Sequence, residues 1–172
     1  YFGGGTLIRL RPYKTKDAYS IVSWISQRDE FFLWCADLID YPFNVESMNK
    51  LNDEFDKDDR GCLVTAIDNS GVPVGFAALS KADFESNNVH LGFVLVDNKL
   101  RGQRIGIQLI ESIKKYCFDI LNFDSITLKV FSNNTAAVKC YLSCGFNETS
   151  RQTVNFSSMN KQYEGIRMIC KK

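Results

Sequence analysis

Hydrophobic positions along the chain recur with two periods, and the places where one gives way to the other mark its elements. Residues 7–13 alternate Ile8 and Leu10 with Arg9 and Arg11, the period of a half-buried strand, which ends at Pro12. From Thr15 to about Ser26 the spacing of Ala18, Ile21, Val22 and Ile25 predicts a helix with Asp17 in its first turn, and a second helix is expected over 44–55. Between them, Phe31-Phe32-Leu33-Trp34-Cys35 is too aromatic for a bare loop and too short to assign. After a polar break at 56–61, residues 62–68 and 72–79 predict two strands joined by Asn69-Ser70-Gly71, and 89–97 predict a third. Ile105, Leu109, Ile110, Ile113, Cys117 and Ile120 then recur at three- and four-residue spacing as one amphipathic helix. Alternation returns over 125–131. A short helix from Asn134 carries Ala137, Cys140, Tyr141 and Cys144, with Gly145 as its stop, and two alternating stretches at about 148–156 and 163–170 finish the chain.

The order is strand, two helices, three strands, helix, strand, helix, two strands, a mixed α/β arrangement of about seven strands and about four helices. The strand–helix–strand stretch over 89–131 needs a right-handed crossover and so at least one parallel pair. Ligands in such sheets bind where neighbouring connections diverge at the C-terminal ends of strands.

Composition narrows the function. The 172 residues suit one domain, here 6–172, and 45% hydrophobic residues can fill a sizeable core. Tyr1–Gly5 is set aside as an expression remnant. A net charge of +1 argues against a protein that coats nucleic acid or an anionic membrane. The distribution is less even: 28–60 hold ten acids and four bases, while 99–172 hold twelve bases and five acids. The six cysteines form no C-x-x-C pair and lie away from the single histidine, His90, so no metal site is expected. Each lies in an apolar or periodic stretch, which predicts structural thiols in a reducing cytoplasm. No run reaches the length of a membrane span, and the N-terminus lacks the pattern of a signal peptide.

Candidate chemistry lies where the strand ending in Val94-Leu95-Val96 turns through Arg101-Gly102-Gln103-Arg104-Ile105-Gly106 into a helix. Unpaired amides at a helix N-terminus favour a phosphate or diphosphate, glycines let the main chain approach it, and Arg101 and Arg104 add charge. The spacing fits neither the Walker lysine loop nor the G-x-G-x-x-G of dinucleotide folds. Further on, Asn134, Ala137, Tyr141, Gly145 and Phe146 stand at offsets of three, seven, eleven and twelve. Together with the loop, this pattern resembles the GCN5-related N-acetyltransferase (GNAT) family, and the resemblance extends over almost the whole chain. One departure is that Arg104 stands where the family's Arg/Gln-x-x-Gly-x-Gly/Ala loop carries its first glycine.

The resemblance implies a mostly antiparallel sheet with one splayed parallel pair, and acetyl transfer from acetyl-CoA, as cosubstrate, to a primary amine within a ternary complex, without metal. It implies that Val94, Leu95 and Val96 flank the pantetheine arm and that the amides of 101–106 meet the diphosphate. Asn134 would touch the cofactor, and Tyr141 would protonate the departing thiolate; from the residues alone Tyr141 reads as a core tyrosine, and the resemblance turns it toward catalysis. His90 stands where relatives often carry a glutamate base, although a lone strand histidine also suits a packed position; a water chain or Asp37 is an alternative. Trp34 and Asp37, among the aromatics and acids of 24–40, are candidates to hold the amine or simply to pack. A small amine and a protein N-terminus both suit as acceptor, and a monomer or a homodimer as the assembly. A CoA-binding module without catalysis is the alternative on the same fold.

Overall fold

The computed structural model describes residues 7–156 and 161–172, so the expectation for Tyr1–Gly5 falls outside the described residues. Seven strands form one sheet: β1 (Arg9–Pro12), β2 (Cys62–Ile67), β3 (Pro73–Asp83), β4 (Asn88–Val96), β5 (Ser125–Phe131), β6 (Asn147–Phe156) and β7 (Lys161–Lys171). Their order is β1-β2-β3-β4-β5-β7-β6. Every neighbouring pair is antiparallel except β4 and β5, which are parallel because helix α4 (Ile105–Lys115) crosses over between them.

On one face lie α4 and α5 (Thr135–Ser143), and Ile105, Leu109, Ile110 and Ile113 meet Leu79, Leu91, Ile126, Leu128 and Ile166 in a continuous core. Gly75 permits this contact, since a Cβ there would stand 3.2 Å from Leu109 Cδ2. On the other face α1 (Ala18–Ser23), α2 (Arg28–Cys35) and α3 (Val45–Asp56) bury Ile21, Trp24, Phe31, Met48 and Leu51 against Leu63, Phe76, Ala78 and Leu95. Asp17 ties β1 to β2. At 1% exposure its carboxylate accepts two bonds from Arg11 (2.6 and 2.8 Å), one from the Lys14 amide (2.9 Å) and one from the Thr65 hydroxyl (2.9 Å). Burial alone would push its pKa up, and these donors outweigh that and hold it below the ordinary value.

Three differences from the sequence pattern have physical causes. The unassigned aromatic segment is helix α2, a fifth helix. Its apolar side chains face two directions, Phe31 into the helical layer and Phe32 onto Phe131, Phe156 and Tyr163 at ring separations of 5.6, 4.7 and 4.9 Å, which hides the one-sided stripe. The long helix after β4 is α only to Lys115 and closes in a π-turn, Tyr116–Ile120, leaving Ile120 69% exposed. Cys62 is exposed, unlike Cys35, Cys117, Cys144 and Cys170, which are buried as expected; all six are free thiols.

Candidate active site

A bulge in β4 opens the sheet. Ala78 of β3 stands opposite Gly92 but Phe76 opposite Leu95, so three residue steps on β4 answer two on β3, and Phe93 takes φ 50°. The extra residue reverses the facing of the strand. Before it Val89 and Leu91 enter the α4-side core; after it Leu95 enters the opposite core, while Val94 and Val96 pack on the α4 side. On the other edge of β4 the parallel ladder with β5 ends at Leu91 opposite Leu128. Beyond that point the two strands diverge. The resulting groove, about 1500 Å³, is lined by residues 91–96 and 129–131, the start of α4, one side of α5 and part of α2.

At one end the groove meets the loop before α4. Asp97 starts the turn by accepting from the amides of Lys99 (2.9 Å, side chain) and Leu100 (2.9 Å, main chain). Gly102 (φ 77°) and Arg104 (φ 63°) are both left-handed, and Arg104 is the N-cap of α4. This accounts for the family's glycine at position 104. A side chain can occupy that conformation at a cost of about 1–2 kcal/mol, and Arg104 does so while remaining exposed. The first amides of α4 lack intrahelical partners by construction of any helix. Arg101, Gly102, Arg104, Ile105 and Gly106 line the groove with Val94, Leu95 and Val96, whereas Gln103 does not. Arg101 also pairs with Glu30 of α2 across the groove mouth. At Gly106 an added Cβ would lie 3.6 Å from Cys140 Sγ, so α4 and α5 approach closely there.

Helix α5 supplies the far wall. Asn134 caps it, its Oδ1 accepting from the Ala137 amide (3.3 Å), and borders the groove. Gly145 (φ 86°) ends the helix in the left-handed turn that the sequence predicts, and the Phe146 amide donates back to Tyr141 O (3.0 Å). Tyr141 belongs both to the core and to the groove lining: it is 8% exposed and its ring meets Phe146 edge-on at 5.9 Å. Burial, with smaller contributions from Cys140 and Cys144, raises its pKa well above the ordinary phenol value, so the hydroxyl keeps its proton at neutral pH.

The acceptor-side expectations divide. Trp34 lines the groove and stands 5.0 Å from Phe43 and 5.7 Å from Phe93, its buried Nε1 without a hydrogen-bond partner among the described residues. Asp37 lies outside the lining, in a left-handed turn (φ 61°) that follows α2, and Asp40 pairs with Lys50 at 3.4 Å. Of the acids in this region, Asp29 and Glu30 border the groove. His90 is also outside the lining. Its Nδ1 lies 3.4 Å from Thr127 Oγ1, and its pKa falls to about 4, chiefly through burial and further through the charges of Lys81, Lys129 and Arg167. Residues not singled out from the sequence, Gly92, Lys129, Phe131, Val154 and Phe156, complete the wall. Only Lys129 gives a local signal, a charge between the core residues Leu128 and Val130. Among the described residues no group of three or more metal-ligating side chains comes together.

Comparison with curated proteins yields no match. Solved structures give close folds at low identity. Spermidine N-acetyltransferase from Vibrio cholerae in complex with CoA and spermine superposes with a TM-score of 0.82 at 19% identity, covering 96% of this chain and 95% of that one. A chimera of the Vibrio cholerae enzyme and hSSAT gives 0.80 at 20% identity, covering 96% of each chain. A dodecameric form of the Vibrio cholerae enzyme gives 0.74 at 19%, covering 96% and 94%. The profile described as "Acetyltransferase (GNAT) family" matches residues 20–146, well over half of the chain. With the splayed β4–β5 pair, the loop into α4 and the Asn134–Phe146 pattern all in one groove, the chain belongs to the GNAT family of acetyltransferases and is an acetyl-CoA-dependent N-acetyltransferase.

Proposed function

We propose that residues 6–172 form one domain that transfers the acetyl group of acetyl-CoA directly to a primary amine, both substrates being bound together. The groove itself carries this reading: one channel joins a helix N-terminus, a strand edge released from its neighbour, and a protonated phenol. Its parts fit the cosubstrate. The amides that open α4, with Gly102 at a left-handed turn and Arg101 and Arg104 beside them, suit a diphosphate. The edge of β4 from Gly92 to Val96, free of β5, offers backbone donors and acceptors to the amides of a pantetheine arm. Asn134, whose Oδ1 is committed to its cap, has its amide nitrogen to offer from the α5 side.

The cosubstrate brings the activated thioester; the protein orients it and manages charge and protons. As the C–N bond forms and the C–S bond breaks, charge grows on the carbonyl oxygen, and a backbone N–H near Leu95, on the β4 edge free of β5, would meet it. A donor of this kind is typically worth ~2.7–4 kcal/mol. Tyr141 gives its proton to the departing sulfur. A phenol is protonated at neutral pH; burial makes this one a weaker acid, and the same desolvation raises the proton affinity of the thiolate that forms beside it. The proton lost by the amine leaves through water and restores the phenol. His90, outside the lining and with its pKa near 4, is too weakly basic to compete for that proton.

The test is free-thiol release from acetyl-CoA across a panel of amines, with CoA-induced thermal stabilisation measured in parallel. Turnover with at least one amine is expected, together with stabilisation of about 2.7 kcal/mol at one hundred times Kd. Stabilisation without turnover would instead support a CoA-binding module.

A further inference from the structure

Where β5 and β7 pair, the sheet face turned away from α4 and α5 carries charge of one sign. Register places Lys129 of β5 directly opposite Arg167 of β7, with Thr127 opposite Ile169 and beside His90 of β4. Helix α2 covers the end of this part nearest Phe131, through Phe32, and among the described residues the side chains of Lys81, Lys129 and Arg167 are exposed. Two cations directly opposite on neighbouring strands repel each other, so such a pair is a cost unless something negative lies over it. Among the described residues Lys81, Lys129 and Arg167 have no ion pair. The glutamates of the β6–β7 hairpin, Glu148 and Glu164, lie on the opposite face, where Arg151 holds them at 2.6 and 2.7 Å. Asp83, at the far end of β3, is committed to the amides of Glu85 and Ser86.

Lys81 joins the cluster through a second bulge. Ser80 is opposite His90 and Asp83 opposite Asn88, so β3 carries one extra residue, and Lys81 takes φ 52°. A non-glycine residue held there is uncommon, and bulges often re-aim a side chain beside a functional site. With Ala82 packed on the α4-side core, Lys81 is directed to the His90 face, close enough for its charge to help keep that imidazole neutral. The cluster is continuous with the groove: Lys129 lines it, along with Gly92 and Phe131 from the same face.

We propose that Lys81, Lys129 and Arg167 bind an anionic group of the acceptor, so that the substrate class is amines carrying a carboxylate rather than polyamines. The inference rests on the acetyl-transfer reading above. A carboxylate over Lys129 and Arg167 would leave the amine of the same molecule at the mouth between Gly92 and Leu95. The same cations favour the neutral, nucleophilic form of that amine. A polyamine would bring further positive charge against three unpaired cations. Trp34, Phe131 and Phe156 offer apolar contact to whatever side chain lies between.

The test uses acetyl-CoA with phenylalanine and phenylalanine-containing dipeptides as free carboxylates, the same compounds as carboxamides, and spermidine. The carboxylate forms are expected to exceed the carboxamides at least tenfold in kcat/KM, and spermidine by more. In a Lys129→Ala/Arg167→Ala double variant that ratio should fall close to one while CoA-induced stabilisation is kept. Comparing the ratio between enzymes cancels the difference in amine basicity. Equal rates for both forms in the wild type, or spermidine as the best acceptor, would overturn the proposal. Failure of every amine would instead sink the acetyl-transfer reading, and the anion site is then read by binding alone. N-acetylphenylalanine with CoA should stabilise the wild type more than its carboxamide does, and not the double variant; no difference would overturn the site.

Discussion

His90 is the single histidine, which makes its titration a clean probe of the cationic sheet face. Its pKa drops from 6.5 to about 4, chiefly because the half-buried ring loses solvent and further because Lys81, Lys129 and Arg167 disfavour another positive charge. The unfolded chain therefore binds a proton at this side chain between pH 6.5 and 4 while the folded chain does not. Stability from this source is complete above pH 6.5 and is lost as the pH falls toward 4. The full shift corresponds to about 3 kcal/mol at ~1.4 kcal/mol per tenfold. The three cations are exposed, so solvent screening brings the expected loss to about 1–2 kcal/mol. The ring proton resonance should titrate with a midpoint well below 6.5, and Lys129→Ala should move it upward. Urea unfolding at pH 7.5 and 5 should show a smaller acid loss in His90→Gln than in the wild type. A midpoint at 6.5 or above would refute the reasoning, because the ring would then be either solvated or paired with a carboxylate.

Tyr141→Phe is expected to lower kcat by roughly tenfold or more with CoA affinity within twofold of wild type, and unchanged turnover would remove the phenol from the reaction. Asp17→Ala leaves the part-buried Arg11 without its carboxylate and should cost about 3–5 kcal/mol in urea unfolding, with a loss under ~1 kcal/mol counting against the pair. Gly102→Ala meets no neighbouring atom within 4 Å, so any loss is conformational. It should cost about 1–2 kcal/mol and weaken the CoA-induced thermal shift, and a variant matching wild type in both would show that the left-handed turn is not needed.

Elements whose signal is local were legible in the sequence. The α4 stripe, the alternation of β4 and β5, and the Asn134-to-Phe146 spacing each place residues correctly because one face of each meets one core. Helix α2 was hidden because Phe31 and Phe32 serve different packing surfaces. The bulge at Phe93 left no mark, since the residues on both sides of it are apolar and the reversal of facing depends on the partner strand. Arg104 looked like a defect in the loop, and its left-handed backbone explains both the usual glycine and how an arginine is tolerated. The facing of Lys129 and Arg167 comes from a strand pairing across 38 positions of sequence, which no local period encodes. His90 was singled out for its chemistry and for standing where relatives often carry a glutamate, and neither signal reports the burial and neighbouring cations that lower its pKa.

The central claim is that the β4–β5 splay carries the thioester from the α4 loop to the Tyr141 hydroxyl. A crystal structure with CoA tests it directly. The account predicts the diphosphate on the amides that open α4 and the CoA sulfur within direct hydrogen-bonding reach of Tyr141 Oη. A diphosphate bound elsewhere, or a sulfur directed away from that hydroxyl, would contradict it.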